Sequence, residues 1–145
     1  MRSGKSIVLF LSSLPVPKTN RYIRRKNGWV FKSHRVTLWE TRALWELQNQ
    51  YNQEPLKKPL SVEVYFFLPD RRKRDIDNML KSLWDVLERA KVIENDELIW
   101  ETKTVKVKDA CISGTVIVIK PFRTPKKVLG EYGKLLSEFK SSVNP

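Results

Sequence analysis

Apolar and polar residues alternate from Leu60 to Leu68, with Val62, Val64, Phe66 and Leu68 on one side and Ser61, Glu63, Tyr65 and Phe67 on the other. That two-residue period predicts a strand with one buried face. Two stretches repeat at three and four instead. Val36, Leu38 or Trp39, Ala43, Leu44, Leu47 and Tyr51 predict an amphipathic helix from Ser33 to Tyr51, with Ser33 as N-cap. Ile76, Leu80, Leu83, Leu87 and Ala90 predict a second, from about Ile76 to Ala90. Continuous apolar runs, Ile7 to Leu11 and Thr115 to Ile119, predict a buried strand near the start and a central strand late in the chain. Leu98 to Lys108 reads as a further strand, and Glu131 to Phe139 as a last helix followed by a frayed basic tail. Asn27-Gly28 between two β-prone pieces marks a hairpin, because both residues tolerate positive φ. Together these elements predict an α/β (α+β) fold: a single compact domain, a mixed sheet and about three helices.

Composition narrows the class. At 145 residues, 41% of them hydrophobic and 30% charged, the chain suits one ordinary soluble domain. Its 28 Lys and Arg against 16 Asp and Glu leave a net charge of +12. Such an excess suits nucleic acid, although ribosomal and membrane-surface proteins share it. With one cysteine, Cys111, neither an intrachain disulfide nor a cysteine-based zinc site can form. No run is long enough for a membrane span, so a cytoplasmic location is expected, with nucleoid association or, for a viral protein, the host cytoplasm. Five scattered glycines form no phosphate-binding loop, and no internal repeat is present; ATP-driven chemistry is not expected.

The candidate chemistry lies between the Leu60–Leu68 strand and the helix after it. Arg71, Arg72, Lys73 and Arg74 lead directly into Asp75 and Asp77. Two carboxylates this close repel unless a cation lies between them, and a hard divalent ion needs only a few protein oxygens beside substrate phosphate. The plainer alternative is that an aspartate caps the helix and the basic run is a solvated loop. Lys81, four residues after Asp77 and thus on the same helix face, reads as a phosphate-binding cation or as a surface ion pair with Asp77 or Asp85. Arg21, Arg24, Arg25 and Lys26, interleaved with Tyr22 and Trp29, suit a DNA-gripping hairpin or an ordinary solvated one. His34, the single histidine, has no companion that would make it a base. Trp39 and Trp45 read as core or interface packing.

The run Arg-Arg-Lys-Arg-Asp-Ile-Asp-Asn (71–78), Lys81 six residues after Asp75, and Asn95-Asp96-Glu97, whose aspartate follows Asp75 by 21 residues, resemble the RusA family of Holliday-junction resolvases. The resemblance extends over roughly residues 6–120 and includes Pro17, Asn20 and Tyr22. It implies a homodimeric, Mg2+-dependent endonuclease (Mn2+ a possible substitute) that nicks opposed strands of a four-way junction in recombination and repair. In that reading Asp75, Asp77 and Asp96 bind metal, Lys81 is the essential lysine, and Arg21, Arg24, Arg25, Lys26 and Arg71 to Arg74 face DNA. Glu97 is the weaker acid candidate. Many relatives carry two acids where this chain has Asn95-Asp96, which leaves less spare negative charge. Residues 1–122 would form the endonuclease domain and 123–145 a basic C-terminal helix or tail packed on it or extending from it. Activity on flaps, forks or other branched DNA, or a silent nucleic-acid-binding module, stand as alternatives. A helix from Ile76 to Ala90 is ~20 Å long, so either the linker runs back along it or Asp96 serves the partner's site.

Overall fold

The computed structural model describes residues 5–17, 22–24, 30–32 and 34–143. Strands β1 (Ile7–Leu11), β4 (Leu60–Phe67), β5 (Ile99–Val107) and β6 (Gly114–Pro121) form one sheet in the order β1-β6-β4-β5. β2 (Tyr22–Arg24) and β3 (Val30–Lys32) pair antiparallel as the predicted hairpin, while its Asn27-Gly28 turn lies outside the described residues. Helices α1 (His34–Gln50), α2 (Ile76–Arg89) and α3 (Gly133–Val143) complete the chain. Ser33 lies outside the described residues.

β4 carries the predicted alternation: Leu60, Val62, Val64 and Phe66 are buried and their neighbours half-buried. β6 is central, antiparallel to both β1 and β4, as its apolar run requires. β5 pairs parallel with β4, so the β4–α2–β5 unit is a crossover whose helix returns the chain along the sheet. α2 buries Met79, Leu80, Leu83, Val86 and Leu87 over the sheet. α1 adds Val36, Trp39, Ala43 and Leu47 to the same core. Between the helices the Arg89 guanidinium meets the Glu40 carboxylate at 2.9 Å, with the Glu40 side chain only 5% exposed. α2 ends where Lys91 turns into the left-handed region (φ 59) and the Val92 N–H reaches back to Leu87 O.

Two readings are corrected. β1 was expected to be buried, yet it lies at the sheet edge with only Leu9 and Leu11 in the core, and Val8 and Phe10 point outward. A run of apolar residues does not reveal that one face has no layer over it. Trp39 packs in the core, whereas Trp45 and Leu38 are exposed. The last helical segment is longer than Glu131 to Phe139. It begins at Lys126, passes through a π-helical turn, Val128–Tyr132, and continues through α3 to Val143.

α1 also closes the outer edge of β1. The Phe10 N–H donates to Gln50 Oε1 (2.9 Å), Gln50 Nε2 donates to Phe10 O (2.7 Å), and the Ser12 N–H donates to Glu46 Oε1 (3.0 Å). These side chains supply the bonds that a further strand would have made.

Candidate functional site

β4 ends at Phe67 and releases the chain into the basic loop, which the structure fixes by one internal anchor. Asp70 accepts hydrogen bonds from Arg74 Nη1 (2.6 Å), Arg74 Nη2 (3.2 Å) and the Arg72 N–H (3.0 Å). Arg74, and secondarily the Arg72 N–H, hold the Asp70 carboxyl down at about 2. Lys106 of β5 donates its ammonium to Arg74 O, tying the loop to the neighbouring strand. Arg74 is therefore engaged within the protein, whereas Arg71, Arg72 and Lys73 are exposed. Clefts open on both sides of this loop. One is walled by Arg35, Trp39 and Arg42 of α1 together with Asp75 and Asn78, the other by Lys106 and Lys108.

Asp75 is the N-cap of α2. Its Oδ1 accepts the Asp77 N–H at 2.9 Å, so the capping alternative holds for this residue. Capping occupies one oxygen and leaves the other for a further ligand. Asp77 follows in the first turn, and Lys81 lies one turn on. All three are exposed, and no hydrogen bond or ion pair among the described residues engages the Asp77 carboxylate or the Lys81 ammonium. The alternative surface pairs of Lys81 with Asp77 or Asp85 do not form among the described residues; Arg89 meets Asp85 at 3.4 Å.

Asp96 lies at the other end of the sheet. It opens a 3-10 turn, Asp96–Leu98, capped by Asn95, whose Oδ1 accepts the Glu97 N–H at 2.8 Å. Ile99 then enters β5 opposite Leu60, at the start of β4. Asp75 and Asp77 instead follow the finish of β4, where the Leu68 N–H reaches Val107 O. With α2 of 14 residues between them, the two acidic groups stand on the order of 20 Å apart in one chain. Accordingly, among the described residues no three Asp, Glu, His or Cys side chains gather at a point where they could hold a metal ion.

Asp75 and Asp77 fit a hard cation in donor type, being exposed carboxylates two residues apart, but they supply only part of a coordination shell. Of the remaining expected site residues, Arg24 ends β2, while Arg21, Arg25 and Lys26 lie outside the described residues. Arg35, Arg42, Lys106 and Lys108 were not anticipated; only the fold brings them to the loop. His34 and Cys111 are exposed, and neither joins a metal-binding cluster among the described residues.

Residues 13–120 match the family model described as endodeoxyribonuclease RusA. A crossover junction endodeoxyribonuclease RusA of Aquifex aeolicus (strain VF5) is 56% identical over 121 residues, 83% of this chain and 96% of that protein. The protein of the same name from Escherichia coli O139:H28 (strain E24377A / ETEC) is 29% identical over 91 residues, 63% of this chain and 76% of that protein. Its counterpart in strain K12 is 28% identical over the same length.

Proposed function

The chain belongs to the RusA family of endodeoxyribonucleases, and from that premise we propose that it resolves four-way DNA junctions by paired nicks, with each active site assembled from two copies of the chain. The observation that carries the shared site is the separation of Asp75 and Asp77 from Asp96 along α2. A two-fold dimer that sets the Asp96 end of one copy against the Asp75 end of the other makes two equivalent sites. Two such sites match the approximate symmetry of a junction with two strands to cut.

The family is metal-dependent, and the proposed ion is Mg2+, with Mn2+ as substitute, held by Asp75 and Asp77 and by Asp96 of the second copy. Once bound, the ion would polarise the phosphate and make a water more acidic. The protein's own groups do the remaining work. Arg71, Arg72 and Lys73, with Arg35 and Arg42 across the cleft, hold the DNA backbone against the aspartates. Arg74 works indirectly, by fixing the loop through Asp70. Lys81 reaches from the Asp77 face of α2 to neutralise charge on the leaving 3′ oxygen. Water oxygen bonds to phosphorus as the bond to that oxygen breaks, leaving a 3′ hydroxyl and a 5′ phosphate.

The test is cleavage of a labelled synthetic four-way junction beside linear duplex and a flap, with Mg2+ or Mn2+, using wild type and Asp77→Asn. Paired symmetric nicks confined to the junction, lost in the variant while binding persists, are expected. Equal cutting of the flap would make branched DNA in general the substrate. Undiminished cutting by Asp77→Asn would overturn the site.

A further inference from the structure

The segment 126–143 is helical, and it carries an apolar stripe that stays largely exposed among the described residues. Val128, Leu129, Leu135, Leu136, Phe139 and Val143 recur at helical spacing and are between 45% and 71% exposed. An isolated helix of this length is marginal in water, so its stability calls for a surface to cover that stripe. Tyr132 lies in the same stripe, with the Lys127 ammonium 5.4 Å from its ring centre. This arm lies beyond residue 120, where the family match ends.

Apart from the single exposed side chains Leu38, Trp45, Trp100 and Ile112, the described residues leave apolar groups open on one face of the sheet. α1 and α2 bury their apolar residues in one core with Leu9, Val62, Val64, Phe66, Ile117 and Ile119, and the alternate residues of those strands face the other way. There Phe10, Val116, Tyr65 and Val105 form a row across all four strands, with Val8 and Val118 in the row beside it. Phe10 is 56% exposed and Val8 46%. Charges of both signs lie within this face: Glu63 and Lys103 continue the row of Val8 and Val118, and Glu63 pairs with Lys120 at 3.6 Å, while the arm flanks its stripe with Glu131, Lys134, Glu138 and Lys140.

We infer that the arm is a clasp between two copies: the stripe of one chain's arm lies across the open sheet face of the other, reciprocally. Dimensions agree. Eighteen helical residues, 126–143, span ~27 Å at 1.5 Å each, and the eight-residue β4 spans ~26 Å. Because both surfaces belong to the same chain, a second copy satisfies both at once and the exchange closes at two. A stripe buried from each of two arms brings the contact towards the ~1,200–2,000 Å² of a stable dimer. The arm's root also lies at the end of the sheet from which Asp96 must reach the second copy, since the Phe122 N–H donates to Pro59 O just before β4. The clasp rests on the dimeric reading above and assigns the element that holds that dimer together.

Two measurements on the full chain test it. Leu136→Glu with Phe139→Glu leaves the core untouched and should raise the dimer dissociation constant at least ~100-fold in analytical ultracentrifugation, as loss of central interface anchors does. Junction cleavage should then fail at low protein concentration and return at high concentration. A photo-crosslinker at Leu135, in a mixture of isotopically heavy and light chains, should join heavy to light through residues such as Val8, Phe10 or Val116. Crosslinks within one chain, between two arms, to other surfaces or none at all would overturn the clasp, as would unchanged dimerisation of the variant. If the variant dimerises and cuts as wild type, the clasp alone fails; if wild type is monomeric while cutting, the shared site fails with it.

Discussion

Mixing two dead variants is the sharpest test of the shared site. In Asp77→Asn and Asp96→Asn homodimers, both sites have lost an acid. In a mixed dimer under the shared arrangement, one site combines both substitutions and the other combines Asp75 and Asp77 of the Asp96→Asn chain with Asp96 of the Asp77→Asn chain. That second site is intact. Random exchange of equal amounts makes about half of all dimers mixed, each with one working site of two, so about a quarter of wild-type sites should return. The separation behind this figure is on the order of 20 Å along α2, whereas ligands of one hard ion all lie within about 2.6 Å of it. Differently tagged chains, unfolded and refolded together, would be assayed on a junction labelled on opposed strands. The product should be single nicks rather than paired ones, because each mixed dimer cuts once. Mixed dimers recovered through both tags that show no nicking would refute the argument and return Asp96 to its own chain.

Other expectations follow from individual contacts. Arg89→Met strips the nearly buried Glu40 carboxylate of its Arg89 cation and should cost about 2–3 kcal/mol in urea unfolding, at or below the range for broken buried pairs because the Arg89 side chain is itself 43% exposed; a loss under ~1 kcal/mol would contradict this. Leu83→Ala, at a fully buried site under α2, should cost about 2–5 kcal/mol in the same assay. Asp70→Asn should leave global stability nearly unchanged while lowering junction cleavage, since it releases Arg74 and the loop; equal cleavage would sever loop order from function. The folded Asp70 carboxyl lies at about 2, below its ordinary 3.8, so its ordering of the loop is complete above pH ~4 and lost as pH falls through about 2. NMR shifts of the Arg74 guanidinium should follow that transition. EDTA should abolish cleavage and leave junction binding in place, while raising salt should weaken binding along a straight log–log line.

How far the sequence foretold this depended on range. β4 and α2 were legible because each carries its own periodicity, and the pair Asp75 and Asp77 before the first apolar turn announced a cap, which the structure assigns to Asp75. β6 declared itself central through an unbroken apolar run. Edge position was not legible: Ile7 to Leu11 reads identically whether helices cover one face or two, and only the layer arrangement exposes Phe10. At the candidate site, Asp75, Asp77 and Lys81 are neighbours in the chain and could be picked out together, and the length of α2 already set Asp96 apart. Arg35, Arg42, Lys106 and Lys108 could not be found that way, because their approach to the loop is a property of packing between distant segments. The Lys106 contact to Arg74 O spans 32 residues and has no signature at either end.

The amide of Gln50 has an effect beyond local bonding. By occupying the N–H and C=O of Phe10 it withdraws β1 from any exchange with a foreign strand, which leaves β5 as the one open margin of the sheet among the described residues. A sheet with a single available margin can meet another of its kind only edge to edge, and that meeting uses up both. Open-ended stacking needs two margins per molecule. At the protein concentrations of a crowded cell, Gln50, helped by Glu46 at Ser12, thus separates a sheet that can at most pair from one that could polymerise.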